Sequence, residues 1–94
     1  MIRVLIERYI AEGHEHYYDS TIRRTISQVQ QAPGCLSGES LIDKGDSRRR
    51  IVMSKWRSEA DWENWYRSDE RRQVVSEIAP LLEGREKIMM LETH

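Results

Sequence analysis

The segment from Ser54 to Ser68 constrains the fold of this chain more than any other part of its sequence. All three tryptophans of the chain lie within it: Trp56, Trp62 and Trp65. An alternating strand pattern there runs into a helix, and Ser58 with Asp61 three residues later is typical of an N-cap followed by an acidic first turn. The segment therefore predicts an aromatic wall at a strand-to-helix junction, which suits a ligand pocket and a packed core equally well.

Length and charge limit the classes of protein to which this chain can belong. Its 94 residues make one domain, 1–94, and folding at this size buries roughly 65% of the surface of the unfolded chain. The 15 basic and 16 acidic side chains leave a formal net charge of -1. Such a balance creates no long-range field for nucleic acid or anionic lipid. We therefore expect neither a nucleic-acid partner nor a membrane partner.

Cysteine content and apolar patterning bear on the compartment. The single cysteine, Cys35, cannot form an internal disulfide. No apolar run approaches the roughly 18 residues of a membrane span. Met1 leads directly into a strand pattern, without the layout of a signal peptide. We therefore expect a cytoplasmic protein.

Periodicity predicts a strand and then a helix in the first third of the chain. Residues 2–10 alternate, so that an isoleucine and valine row points one way while Leu5, Glu7 and Tyr9 point the other. After residue 13 the period changes, and His14 to Ala32 predicts an amphipathic helix that Pro33-Gly34 ends. The apolar stripe of this helix consists of Tyr18, Ile22, Thr25, Ile26, Val29 and Ala32.

The rest of the chain predicts a hairpin, a pair of helical segments and a last strand. Residues 35–43 and 49–56 form the hairpin strands, with a turn over residues 44–47. After the helix that begins at Ser58, Ser68 starts a second amphipathic segment. Pro80 predicts a kink or stop near Ala79, and Gly84 ends the segment. Residues 87–91 then predict the final strand.

This order of elements predicts an α+β fold of the ferredoxin-like βαββαβ type. Four antiparallel strands carry both helices on one face of the sheet. The other face presents Leu5 and Tyr9 and one side of an apolar last strand, which is too apolar to remain in water. We therefore expect a homodimer, in which two copies cover each other's helix-free faces.

Five stretches of the sequence together resemble the antibiotic biosynthesis monooxygenase family of dimeric α/β-barrel proteins. They are Ile2 to Arg8, Gln31 to Gly34, Ser37 to Leu41, Trp56 to Trp65 and Leu81 to Gly84. The resemblance covers nearly the whole chain. It implies a scaffold that some members use for cofactor-free oxygenation of phenolic or quinol-like molecules and others for haem degradation, while many members have no known role.

Cofactor-free oxygenation by such a protein requires an apolar pocket and a base that deprotonates a phenol or hydroquinone, after which the anion reacts with dioxygen. We predict His14 as the base, because its position on the helical wheel turns it toward the sheet and its unperturbed pKa is near 6.5. Trp65 and Glu7 are the other candidate catalytic residues. The predicted pocket wall comprises Tyr9, Tyr18, Ile22, Trp62 and Tyr66. No phosphate loop or metal-ligand spacing is present, so we expect no cofactor.

Each of these residues also has a purely structural explanation. His14 suits a packed or capping residue at a helix start, and the tryptophans suit a core. Glu7 suits an ion pair with Arg3, or with a lysine or arginine of the third strand.

Two further functions stay open. In the haem-degrading branch of the family, a strand-one asparagine, a helix-two tryptophan and a later histidine are required. Here Trp65 matches the tryptophan, but the other two positions fall at Ile6 or Glu7 and at about Val75, so the usual axial ligand is missing. The other alternative is a dimer that binds a small apolar metabolite without catalysis.

The bare sheet face generates the first testable prediction. The solution mass, measured by light scattering at micromolar concentration, should be about twice the chain mass of 11.2 kDa. A monodisperse monomer would contradict the expected pairing of the two faces.

Overall fold

The computed structural model describes residues 1–94 and confirms the predicted order of elements. The strands are β1 (Ile2–Tyr9), β2 (Cys35–Asp43), β3 (Asp46–Trp56) and β4 (Lys87–Glu92), and the helices are α1 (Glu15–Gln30), α2 (Glu59–Tyr66) and α3 (Asp69–Ile78). A short 3₁₀ turn, Ala79–Leu81, follows α3 at the position where Pro80 predicted a stop. No helix combines the length and the apolar character that crossing a bilayer would require.

The four strands form one antiparallel sheet in the order β2-β3-β1-β4. β1 is central, and its register places Ile6 beside Val52 on one side and Ile88 on the other. Directly paired residues share a face of the sheet, so this row of side chains points toward the helices. The α+β ferredoxin-like fold class is thereby confirmed.

The core lies between that face and the helices. Its largest fully buried side chains are Trp56, Tyr18, Ile10, Ile78 and Val4. The predicted stripe of α1 contributes buried Tyr18, Ile22, Thr25 and Val29. Ile26 and Ala32 pack against the core while remaining partly exposed. The helical period therefore predicted the buried side of α1 correctly.

Both predicted helix starts have the expected caps. The Ser58 hydroxyl accepts a hydrogen bond from the backbone N–H of Asp61 at 3.2 Å. The Ser68 hydroxyl accepts one from the backbone N–H of Arg71 at 3.1 Å. Each cap satisfies one of the backbone donors that a helix leaves free at its start.

Two boundaries differ from the sequence-based expectation by more than one residue. β3 begins at Asp46 rather than Arg49, because Lys44 and Gly45 alone make the turn and the Asp43 carboxylate accepts the N–H of Gly45 at 2.8 Å. α1 ends at Gln30 rather than Ala32, because the N–H groups of Gln31 and Ala32 bond to carbonyls only three residues back.

The helix-free face carries an apolar row across the sheet. Leu5 of β1 lies between Met53 of β3 and Met89 of β4. Met89 is 50% exposed, and Leu41 and Leu91 are exposed nearby. The sequence predicts that a second copy of the chain covers this surface.

Gly34 allows a test of how closely α2 packs against the turn that follows α1. Its φ is +83°, and a methyl group on it would overlap the Asp61 side chain, including the Asp61 Cβ. Gly13 has φ +88° and open space around it, so it is the matched control for backbone strain alone. We expect Gly13→Ala to lower the free energy of unfolding by about 1 kcal/mol. Gly34→Ala should cost roughly 1–3 kcal/mol more, because α2 must shift. Equal losses of unfolding free energy for the two variants in urea titrations would show that the Asp61 side chain moves aside without cost.

Candidate functional site

A small cavity lies between the sheet and the three helices. Its volume is about 30 Å³, and eight of its twelve lining residues are hydrophobic. The apolar walls include Ile6, Ile22, Val52, Trp62, Trp65 and Val74, and the polar lining consists of Arg8, Thr25, Ser54 and Arg71. This space admits a water-sized group but not an aromatic ring.

Trp65 is part of the wall of the cavity and also of a larger surface cleft. The cleft has a volume of about 490 Å³ and lies between the C-terminal end of α1 and the residues Asp61, Asn64 and Ser68. Trp65 lines both spaces and is only 8% exposed. Of the twelve residues that line the cavity, only Trp65 also lines the cleft.

Trp62 also lines the cavity and packs against Trp56, which lies outside the lining. The ring centroids of Trp56 and Trp62 are 5.7 Å apart with an interplanar angle of 67°, an edge-to-face contact. The Trp56 indole N–H donates to the Ser54 hydroxyl at 2.9 Å. Since Trp56 is fully buried and its polar atom is satisfied, we expect this side of the cavity to be rigid.

Two buried arginines, Arg8 and Arg71, line the cavity, and both pair with Glu86, which does not line it. Arg8 Nε donates to Glu86 Oε2 at 3.0 Å, and Arg71 Nη2 donates to Glu86 Oε1. The side chains of Arg8 and Arg71 are 3% and 5% exposed, and that of Glu86 is 18% exposed. We call these three residues the arginine cluster, and its formal charge is +1.

Glu86 is held in its ionised form by the two arginines. Burial raises the pKa of its carboxyl group, but the hydrogen bonds and charges of Arg71 and Arg8 together outweigh burial and leave the pKa below its usual value. The carboxylate therefore stays charged at neutral pH and partly neutralises the two cations.

Arg71 has hydrogen-bonding capacity that the protein does not use. Its Nε and Nη1 atoms are buried and have no hydrogen-bond partner. These two nitrogens carry three of the five N–H groups of a guanidinium. Most buried polar groups in proteins are paired, so free donors on a buried cation beside a cavity make Arg71 a candidate ligand-binding group.

The structure brings only part of the predicted site together. Trp62, Trp65 and Ile22 line the cavity. Tyr18 does not line it, but its hydroxyl accepts a hydrogen bond at 3.4 Å from Nη1 of Arg8, which does. Tyr66 is 49% exposed and lies outside, with the Arg71 guanidinium carbon 5.4 Å from its ring centre.

Glu7 and Tyr9 are not brought to the cavity, because odd-numbered positions of β1 point away from the helices. Glu7 Oε2 accepts bonds from Arg49 Nη2 at 2.6 Å and Nε at 3.0 Å, so the ion pair with a third-strand arginine is formed. The Tyr9 hydroxyl donates to Asp46 at 2.9 Å, and that bond raises the pKa of the phenol. Both residues line a separate surface cleft of about 340 Å³.

His14 occupies the N-cap position of α1 and does not line the cavity. Its backbone N–H donates to the Ala11 carbonyl at 3.0 Å, and its side chain makes no cap bond. The imidazole Nδ1 is buried without a partner. The role of His14 as a base stays a prediction. No group of three or more His, Cys, Asp or Glu side chains is arranged to hold a metal ion.

Sequence reasoning missed the arginine cluster, although two of its members carry a readable signal. Arg8 lies in the same alternation as the buried Val4, Ile6 and Ile10. Arg71 precedes Val74 and Ile78 by three and seven positions, on the buried stripe of α3. A charged residue at a core position in either pattern is a candidate for a paired or ligand-binding group. Glu86 lies between two elements and has no such pattern.

Comparison with known proteins identifies the scaffold. The chain belongs to the antibiotic biosynthesis monooxygenase family, whose sequence model matches residues 1–77. No curated protein matches the sequence.

Solved structures agree with this assignment of the fold. A crystal structure of an antibiotic biosynthesis monooxygenase matches with a TM-score of 0.91 at 15% identity, covering 100% of this chain and 99% of the other. A conserved protein from Methanosarcina mazei matches with a TM-score of 0.92 at 14% identity, covering 99% and 92%. A protein from Pseudomonas aeruginosa matches with a TM-score of 0.86 at 20% identity, covering 99% and 93%. At these identities the likeness establishes the fold alone.

The arginine cluster generates a stability prediction. Glu86→Gln leaves two buried cations without a counter-charge, so we expect the free energy of unfolding to fall by about 3–5 kcal/mol in urea titrations at pH 7. Glu83→Gln is the matched control, because its ion pair with Arg48 is 65% exposed on the glutamate side and should contribute less than about 1 kcal/mol.

The lowered pKa of Glu86 also predicts a pH dependence of stability. Because the folded pKa of Glu86 is lowered, its contribution is complete above the unfolded value of about 4.3 and is lost as pH falls through the folded pKa. The stability gap between the natural chain and Glu86→Gln should therefore narrow on acidification. A gap that stayed constant down to pH 3 would contradict the lowered pKa.

Proposed function

We propose that this chain is a small cofactor-independent monooxygenase that oxidises an aromatic molecule, phenolic, quinol or polyketide-like, with dioxygen. The observation that carries the proposal is the cavity lined by Trp62 and Trp65, which shares the Trp65 residue with a 490 Å³ cleft, in a member of the antibiotic biosynthesis monooxygenase family. The indoles provide a face for an aromatic ring, and the arginine cluster provides positive charge beside it.

Substrate binding on this proposal requires Trp65 to move. The present cavity is too small for a ring, whereas the outer cleft has the volume of a ligand site. When Trp65 rotates, the substrate ring occupies the space between Trp62 and the cleft. Its acidic oxygen then lies toward Arg8 and Arg71. Closing the indole over the ring excludes water from the reaction.

The reaction consumes one dioxygen and no external reductant. On an anthrone-like substrate, the ring methylene loses its two hydrogens, one oxygen atom becomes the new carbonyl, and the other leaves as water with those hydrogens. The protein's part is to exclude water and to hold the reacting carbon of the substrate beside dioxygen. Cationic groups near a phenol favour the phenolate, which is the electron-rich species that dioxygen attacks.

We propose a cytoplasmic homodimer as the active form. The apolar row around Leu5, Met53 and Met89 supports pairing of two helix-free faces, since an exposed face of this kind favours association. The unpaired Cys35 agrees with a reducing compartment.

Oxygen uptake tests the proposed function. With a panel of hydroquinones and anthrones, we expect dioxygen consumption at a rate above the uncatalysed one and equal to product formation. Trp65→Ala removes the closing indole and should lower kcat/KM for an accepted substrate by about 10-fold or more, while Trp65→Phe should retain most of the activity. Tyr17→Ala, at an exposed position of α1, is the control and should have no effect.

Two outcomes would contradict the oxygenase. Binding of panel compounds without any oxygen uptake would favour a non-catalytic binding protein. A tight haemin complex with a sharp Soret band would favour the haem-binding alternative, in which Trp65 has a different task.

A further inference from the structure

We infer that Arg71 is the anchor of an anion subsite, and that the molecule bound in this cavity carries an ionised oxygen, as a phenolate or carboxylate, on its aromatic ring. This inference deepens the proposed function by naming the charge of the substrate, and it rests on that function only for the reaction that follows binding. The subsite consists of the unpartnered Nε and Nη1 of Arg71 and the cavity that Arg71 lines.

The donors of Arg71 are unusual in being both buried and free. The whole residue is 4% exposed, yet only one of its three guanidinium nitrogens, Nη2, has a partner, Glu86. Unsatisfied donors on a buried charge are strongly disfavoured, more so than on a neutral group. An acceptor in the cavity would remove that cost, and an ionised oxygen would remove it best.

The charge of the cluster also favours an anion. Arg8 and Arg71 share the single carboxylate of Glu86, so one positive charge has no counter-charge within the cluster. The remaining polar lining residues, Thr25 and Ser54, are neutral. One bound oxyanion would complete the charge balance of the site.

The size of the cavity matches a single polar group. About 30 Å³ admits one oxygen-bearing group next to Arg71, while the attached ring requires the space that Trp65 and the outer cleft provide. Other donors near the cavity are already used. The Thr25 hydroxyl donates to the Ile22 carbonyl, and the Trp56 N–H donates to the Ser54 hydroxyl. Arg71 is the buried cation beside the cavity whose donors are free.

A matched pair of probes tests the inference directly. 2-Naphthoate and 2-naphthamide have the same ring and nearly the same shape, but only the first is charged. By titration calorimetry at pH 7, we expect the natural chain to bind the naphthoate about 10- to 100-fold more tightly than the amide. 4-Nitrophenol serves as the phenol arm. Its absorbance distinguishes phenol from phenolate, and binding should increase the phenolate fraction relative to free solution.

Three variants assign the preference to Arg71. Arg71→Gln should abolish the naphthoate preference and the phenolate shift. Arg71→Lys keeps a positive charge for Glu86 but lacks the planar set of donors, so it should reduce the preference while sparing the fold, which circular dichroism and thermal melting check. Arg24→Gln is the matched control, because Arg24 also pairs with a glutamate of α3, Glu77, but is 58% exposed. It should leave both readouts unchanged.

The outcomes separate this inference from the proposed function. Equal affinity of the natural chain for naphthoate and naphthamide would mean that water alone satisfies Arg71, and would overturn the anion subsite. An unchanged preference in a folded Arg71→Lys or Arg71→Gln protein would also overturn it. An Arg71-dependent preference without oxygen uptake on any panel compound would uphold the subsite and refute the oxygenase. Oxygen uptake without any preference for anions would overturn the anion subsite and uphold the oxygenase.

Discussion

The alternation of β1, the central strand, is the constraint on which the rest of this structure depends. Even positions from Ile2 to Ile10 are buried against the helices, and odd positions face the other side. Because β1 pairs with both β3 and β4, its alternation sets the facing of those neighbours as well. A slip of one residue would place Arg8 on the helix-free face and Glu7 among the tryptophans. The core, the cavity and the bare apolar row all follow from this one register.

The register of β1 places the charged side chain of Arg8 in the interior. A hydrophobic residue at this position would extend the core, whereas arginine brings a cation that must be paired. Glu86 supplies the pairing from the segment before β4, and Arg71 of α3 joins the same carboxylate. Buried ion pairs of this kind are weak sources of stability compared with a packed apolar core. Their placement beside the cavity, with free donors on Arg71, is better explained by the binding of an anion.

Much of the fold was predictable from local patterns. The capping serines at 58 and 68, the stripe of α1 and the stop at Pro80 are local in sequence, and the structure forms each of them. The site was predictable only in part. Trp62 and Trp65 reached the cavity because two adjacent turns of one helix carried them, while Tyr66 turned outward at the edge of the same face. Glu7 and Tyr9 were assigned to the pocket by residue type, although strand alternation places them on the opposite face.

The sequence by itself determined the order of elements, the buried stripe of α1 and the buried side of β1, because these depend on repeats of 3.6 and 2 residues between near neighbours. Only the tertiary structure decided which charged groups meet. Arg8 and Arg71 are 63 positions apart along the chain, Arg71 and Glu86 are 15 apart, and the three share no local pattern. Their contact depends on the packing of α3 against the sheet and on the path of the chain into β4. A site built from distant residues is therefore a property of the packing, and the period of a single element does not encode it.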